Sequence, residues 1–350
     1  MKETPFSQSS PSSSLDEQHP SGTLPPATTL NGNTGAATYV SPTVLPVSAP
    51  VYLRFFTGMR SVWERLTANK KISAGTGIVG FFVLVAIFGP MLIRQDPNTL
   101  SQLSNAHPSA AHLLGTTTLG QDIFGQIIVG TRTSMFWGIL TGLLVTMLSV
   151  IVGLIGGYSG GFVDEILSLL TNVFLVLPAL PLAIVLASYF PRGPLTIAMV
   201  IVFTSWAWGA RVLRSQTLSM RSREFVTAAR AGGESRWHII FAEILPNEIS
   251  IVAANFVSTT LYVILAEASL EFLGLGDAST VSWGTMFYWA EKSDALFLGL
   301  WWWFVPPGLC IALLGAGLAF INFGIDEIAD PRLRSEPQQK RRKMQKAVSA

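Results

Sequence analysis

The chain has 350 residues, 49% of them hydrophobic and only 13% charged, with a mean hydropathy of +0.46; ordinary soluble domains carry roughly 25% charged residues. This balance excludes a water-soluble globular fold as the main architecture and points to a membrane protein. The net charge is only +2, and the lone Cys310 excludes an intrachain disulfide and a cysteine-based metal centre.

Residues 1–55 are predicted to be a disordered tail. They are rich in Ser, Thr, Pro, Asn and Gly, without apolar periodicity, and cannot bury enough surface to offset their ordering entropy. No apolar h-region follows Lys2, so the tail does not read as a signal peptide. An N-terminal region with the first span is expected over 56–110, a membrane-embedded core over 111–332 and a basic tail over 333–350. Six segments are apolar over about the length that crosses a bilayer: 72–93, 133–155, 166–189, 195–209, 249–270 and 301–323. The fourth is the shortest, and an extension to Arg211 or an oblique path would accommodate it. Pro178 and Pro181 interrupt the third and Pro306-Pro307 the sixth, which predicts kinks beside a packed interface or cavity.

Placing the N-terminus inside puts 19 of the 23 Lys and Arg residues on the cytoplasmic side, leaving Arg94, Arg132, Arg192 and Lys292 on the other. Both termini are then cytoplasmic. Trp301-Trp302-Trp303 opens the sixth span at the outer interface, where indole rings favour the headgroup zone.

The loop between spans four and five, residues 221–247, is the most informative segment. It reads as a short helix over about 223–231, a Gly232-Gly233 break, a second helix over about 235–244 and a stop at Pro246. Such a helix–turn–helix elbow lies on the membrane. Ala228 and Ala229 are small enough to let another protein approach closely, and the paired glycines permit a turn where side chains would clash. Spacing alone leaves a second reading open, an amphipathic loop packed on its own bundle.

The elbow resembles the EAA loop of binding-protein-dependent ABC importers, with Glu224, Ala228, Ala229, Gly233, Leu245 and Pro246 at the motif positions and Gly232 beside them. The resemblance implies that it inserts into a groove of an ATP-hydrolysing subunit and carries that subunit's motion into the bundle. Glu243 departs from the pattern, since the broader family often has Ile there.

The likeness covers about residues 58–335. Asn69-Lys70-Lys71, His107-Pro108, Leu114-Gly115-Thr116, Gly120-Gln121-Asp122, Gly130-Thr131-Arg132, Ala266-Glu267-Ala268-Ser269-Leu270, Phe272-Leu273-Gly274-Leu275-Gly276, Ser282-Trp283-Gly284 and Asp330-Pro331-Arg332 follow the order seen in permeases of the dipeptide/oligopeptide (nickel) branch. The chain is similar to the shorter-loop member of their two-permease pair. This implies an all-α integral membrane fold of the type I ABC importer permease class, with six transmembrane helices, in the bacterial inner (plasma) membrane. It also implies a homologous second permease, two ATPase subunits or domains that bind the ATP, and an extracytoplasmic solute-binding protein. No cofactor is expected in this chain.

Glu267 and Glu271 stand four apart near the outer end of span five, on one helix face. Ionisable groups inside a span are costly and mark pathways or gates. The alternative is that Glu267 bonds a neighbouring helix while Glu271 reaches interfacial water. Gly156-Gly157-Tyr158-Ser159-Gly160-Gly161 has no preceding strand and no following Gly-Lys-Ser/Thr, so it reads as the cytoplasmic turn between spans two and three rather than a nucleotide loop. His19, His107, His112 and His238 are scattered and offer no converging metal site. The outer loop 94–132 and the outer segment 272–299, with Trp283, Phe287, Tyr288 and Trp289, are expected to face the binding protein, most of the aromatics acting as interfacial anchors. The Lys340-Arg341-Arg342-Lys343 run suits anionic lipid headgroups of the bilayer, and no nucleic-acid partner is expected.

The resulting expectation is a permease subunit for di- or oligopeptides, working by alternating access and performing no covalent chemistry. The same role for oligosaccharides, a nickel chelate or another solute is the first alternative, and a membrane scaffold or channel without an ATPase the second. A membrane-embedded enzyme would need converging His, Asp or Ser groups, and the spans carry almost none apart from Glu267 and Glu271.

Overall fold

A computed structural model describes residues 70–93, 96–97 and 99–329. The expected tails, 1–55 and 333–350, lie outside the described residues, as does Asp330-Pro331-Arg332. Most of the described residues are helical: α1 (Lys70–Leu92), α2 (Ile123–Ser159), α3 (Gly161–Val176), α4 (Ala179–Tyr189), α5 (Pro194–Met220), α6 (Glu224–Ala231), α7 (Arg236–Phe272), α8 (Trp283–Lys292) and α9 (Trp301–Ala329). Among the described residues, five helices are long and apolar enough to cross a membrane, and α3 with α4 forms a sixth unit bent by 91°.

The bend has a local cause. Proline disfavours helical backbone in the residue before it, and Leu177, preceding Pro178, is extended at φ −71° and ψ 129°. Pro181 falls in the first turn of α4, where no N–H is needed. Pro306 and Pro307, expected to interrupt the sixth span, do not: α9 continues through both.

α2 begins ten residues earlier than expected because the Asp122 carboxylate caps it, accepting the Gly125 N–H at 2.8 Å. It ends at Ser159, so most of the glycine-rich sequence is helix. The turn itself falls to Gly160 and Gly161, at φ +67° and +57°. The earlier glycines serve packing instead. A Cβ on Gly157 would lie 2.6 Å from Thr217 Cβ, and one on Gly153 2.8 Å from the Ala210 carbonyl, both on α5. Nearer the start of α2, Gly138 and Gly142 admit Ile264 and Thr260 of α7. Lipid tails are as apolar as leucine, so helices associate through close van der Waals contact, which small residues allow.

α5 continues past Arg211 to Met220. α7 departs further from expectation: the second elbow helix and span five are one continuous helix, with no stop at Pro246. Residues Ile239–Ile244 form a π-helical segment, in which the Leu245 N–H donates to the Ile240 carbonyl five residues back. The wider turn relieves the clash that a proline ring makes with an α-helical carbonyl.

Where α9 begins, Trp302 and Trp303 are each only 2% exposed and pack with Ile123, Met286 and Leu300. Trp301 alone is exposed, because consecutive helical residues point about 100° apart. Trp283 is likewise buried, edge-on to Phe82 at 5.8 Å. The interfacial-anchor expectation therefore fails for three of these indoles. The loop before α2 is tied to α9 by the Trp302 Nε1–H, which donates to the Thr116 carbonyl at 3.5 Å.

Candidate functional site

At the opposite end, α6 and the start of α7 form the elbow anticipated at 221–247. Its inner face is apolar. Val226, Ile239, Ile240 and Ile244 are buried against Leu154 and Tyr158 of α2, with Ala229 and Leu245 packed on the same cluster. The Arg230 guanidinium lies 5.7 Å from the Tyr158 ring centroid. The outer face carries Glu224, Ala228, Gly232, Gly233 and Pro246, all exposed. The motif positions thus divide: Ala229 and Leu245, both half-buried, pack against the elbow's own bundle. Gly233 adopts φ +81°, and a Cβ there would meet nothing within 4 Å, so backbone conformation alone calls for glycine.

Beside the elbow, α5, α7, α9 and the α3–α4 break enclose a cavity of about 800 Å³. Its wall runs from Thr204 and Tyr262, midway along α5 and α7, to Ser250 and Ile325 near the elbow end. Ser205, Asn255, Ser258, Thr259 and Asn322 add polar groups to an otherwise apolar lining. Asn255 Nδ2 and Asn322 Oδ1 are buried without a hydrogen-bond partner. Buried polar atoms are rarely left so. The sequence reading missed this wall, although Asn255, Ser258, Thr259 and Tyr262 recur at helical spacing within an apolar span.

Comparison with known proteins bears on what this arrangement does. Residues 149–335 match the family model described as "Binding-protein-dependent transport system inner membrane component", and residues 57–111 match "N-terminal TM domain of oligopeptide transport permease C". The chain is 33% identical to the oligopeptide transport system permease protein OppC of Bacillus subtilis over 281 residues, covering 78% of this chain and 91% of the relative.

The chain belongs to the family of binding-protein-dependent transport system inner membrane components.

The permease is also 33% identical to the Bacillus subtilis dipeptide transport system permease protein DppC, over 79% of this chain and 86% of that one. Against the probable D,D-dipeptide transport system permease protein DdpC of Escherichia coli the identity is 29%, over 79% of this chain and 92% of the relative. This is a multi-pass, all-α membrane protein and a transporter subunit rather than an enzyme.

The two span-five carboxylates of the permease are held inside it. Glu267 and Glu271 are each 4% exposed. Ser282 Oγ donates to Glu271 Oε2 at 2.5 Å, and Gly284 contributes its backbone N–H. Glu271 therefore does not reach interfacial water; it ties α7 to the N-terminus of α8, where Ser282 and Thr285 form a capping box.

Two further polar links escaped the sequence reading. Arg214 of α5 grips Asp164 of α3 with both ends of its fork, Nε to Oδ1 at 2.6 Å and Nη2 to Oδ2 at 2.9 Å. Glu248 of α7, fully buried, accepts the Thr217 hydroxyl of α5 at 3.0 Å. Arg214 had counted only toward the inside-positive bias, and nothing in its spacing from Asp164 signals a partner 50 residues away. Between α7 and α8, the Asp277 carboxyl is held below the usual carboxylate range by the hydroxyl and backbone N–H of Ser279.

Proposed function

We propose that this permease forms, with a homologous second permease, the membrane pathway of an ABC importer for di- or oligopeptides. Its elbow couples that pathway to ATPase subunits, which bind the ATP. The observation that carries this reading is the division of the elbow into an apolar face seated on α2 and α7 and an exposed face led by Glu224 and Ala228. A push on the outer face is passed to α2 through the Leu154 and Tyr158 contacts, and to the cavity wall through α7, which is continuous from elbow to wall. In this reading the elbow end and both termini are cytoplasmic, in keeping with the six arginines between Arg211 and Arg236. The loop before α2 and the segment carrying α8 face a solute-binding protein on the other side. Region 56–110 then supplies the first span and 111–332 the core. Glu224, Ala228, Gly232, Gly233 and Pro246 are the docking surface, Ala229 and Leu245 its seat, and Glu267 and Glu271 a packed outer gate.

Peptides are the solute because the relatives named above are oligopeptide and dipeptide permeases. The test is uptake of a labelled tripeptide and a labelled oligosaccharide by cells carrying the wild-type chain, no chain, or Gly233→Trp. Peptide uptake should vanish without the chain. With Gly233→Trp it should fall to background at normal membrane levels. Loss of sugar uptake alone would move the assignment to another solute while keeping the permease role, and normal uptake by the assembled Gly233→Trp complex would remove the coupling role.

A further inference from the structure

Three side chains at the turn of the elbow, none of which belongs to the docking surface, come together in space: Glu234, His238 and Glu243. One ligand atom from each lies within 4.8 Å of the others. His238 Nε2 is 3.1 Å from Glu234 Oε2, four residues before it. Glu243 is five residues beyond His238, a spacing that in a regular α-helix would point the two about 140° apart. The π-helical segment Ile239–Ile244 carries more residues per turn and swings Glu243 back to the face of His238. The backbone is pinned on both sides. Ser235 Oγ accepts the His238 N–H at 3.3 Å, and Asn247 Nδ2 donates to the Glu243 carbonyl at 2.6 Å.

We propose that Glu234, His238 and Glu243 bind a first-row divalent transition metal such as zinc, through one imidazole nitrogen and two carboxylate oxygens. Mixed nitrogen and oxygen donors suit zinc and its neighbours, whereas magnesium prefers an octahedron of oxygens. Metal–ligand bonds of roughly 2.0–2.2 Å place tetrahedral ligands about 3.4 Å apart, a separation that exposed Glu234 and His238 and half-buried Glu243 reach by side-chain rotation. The ion would clip the Gly232–Ser235 turn to the π-helical segment and stiffen the elbow where its two arms meet. A search for converging histidines overlooks such a site, because it uses one histidine and two carboxylates.

The experiment is isothermal titration of the full-length, tag-free chain in detergent micelles with ZnCl2, in the absence and in the presence of excess MgCl2. Wild type should show one saturable zinc site whose affinity falls at least about tenfold, the equivalent of 1.4 kcal/mol, in both His238→Ala and Glu243→Gln. It should be unchanged in Glu224→Gln, which alters an exposed elbow carboxylate outside the cluster, and magnesium should not compete. No saturable zinc binding, an unchanged affinity in either cluster variant, an equal loss in Glu224→Gln or displacement by magnesium would overturn the assignment. None of these readouts depends on transport.

Discussion

Gly157 governs how closely α2 and α5 approach, since the Thr217 side chain and the Arg214 carbonyl occupy the space a Cβ would need. Gly161 is a useful contrast, with open space around it and a φ of +57°. Overpacking a tight contact costs about 1–3 kcal/mol, and left-handed backbone in a residue with a Cβ costs about 1–2 kcal/mol. Gly157→Leu is therefore expected to destabilise the solubilised chain by parting two helices, and Gly161→Ala by strain alone. Thermal unfolding of both, with Cys pairs reporting the α2–α5 separation, distinguishes them. A separation unchanged in Gly157→Leu would show that the contact is less rigid than its distances imply. Gly233 belongs with Gly161: with open space around it and φ +81°, Gly233→Trp adds bulk to the outward surface and strain to the turn without any lost packing within the chain.

α7 is the element in which local sequence and tertiary role are most closely joined. Its π-helical segment lets a proline sit inside a continuous helix, sets the angle at which the elbow leaves the span, and buries Ile239, Ile240 and Ile244 together. Deleting the exposed Ala242 should let this segment close into regular α-helix, turning everything before it by about 100° relative to the span. The variant is expected to reach the membrane at normal levels and to lose uptake, because the elbow would present a different face. Immunoblots of membrane fractions beside an uptake assay check both halves. Retained uptake would mean that the elbow's orientation about the helix axis is irrelevant to coupling.

For the whole molecule, the proposed function makes the largely apolar cavity beside the elbow, with its few polar groups, the wall a solute would meet. Four separate stretches of sequence build it, and Ser258 presents an exposed side chain to it. Ser258→Leu removes a hydroxyl and adds apolar bulk without disturbing a buried contact. Loss of a hydrogen bond worth about 1.4 kcal/mol corresponds to about tenfold, so peptide uptake by the assembled complex should fall by about that factor. Uptake equal to wild type would place the pathway elsewhere on the permease surface. The apolar surface left exposed, including Phe81 and Leu84 of α1, Val176 of α3 and Trp208 of α5, requires lipid or a protein partner to cover it.

The membrane class, the spans to within a few residues at most ends and the elbow with its glycine break were legible in the amino-acid order, because each depends on neighbours along the chain. Apolar length, helix caps, proline and glycine act over a turn or two. What required the tertiary structure depends on groups far apart: Arg214 meeting Asp164, Thr217 meeting Glu248, Trp283 and Trp302 turning inward, Glu271 closing on Ser282 and a cavity drawn from four separate stretches of sequence. Composition cannot say which face of an apolar helix meets lipid and which meets another helix, since both are apolar; that choice is made by close packing around glycines such as Gly138, Gly142, Gly153 and Gly157. Glu243 shows the same limit at short range, because only the π-helical segment turns a residue five places away onto the face of His238.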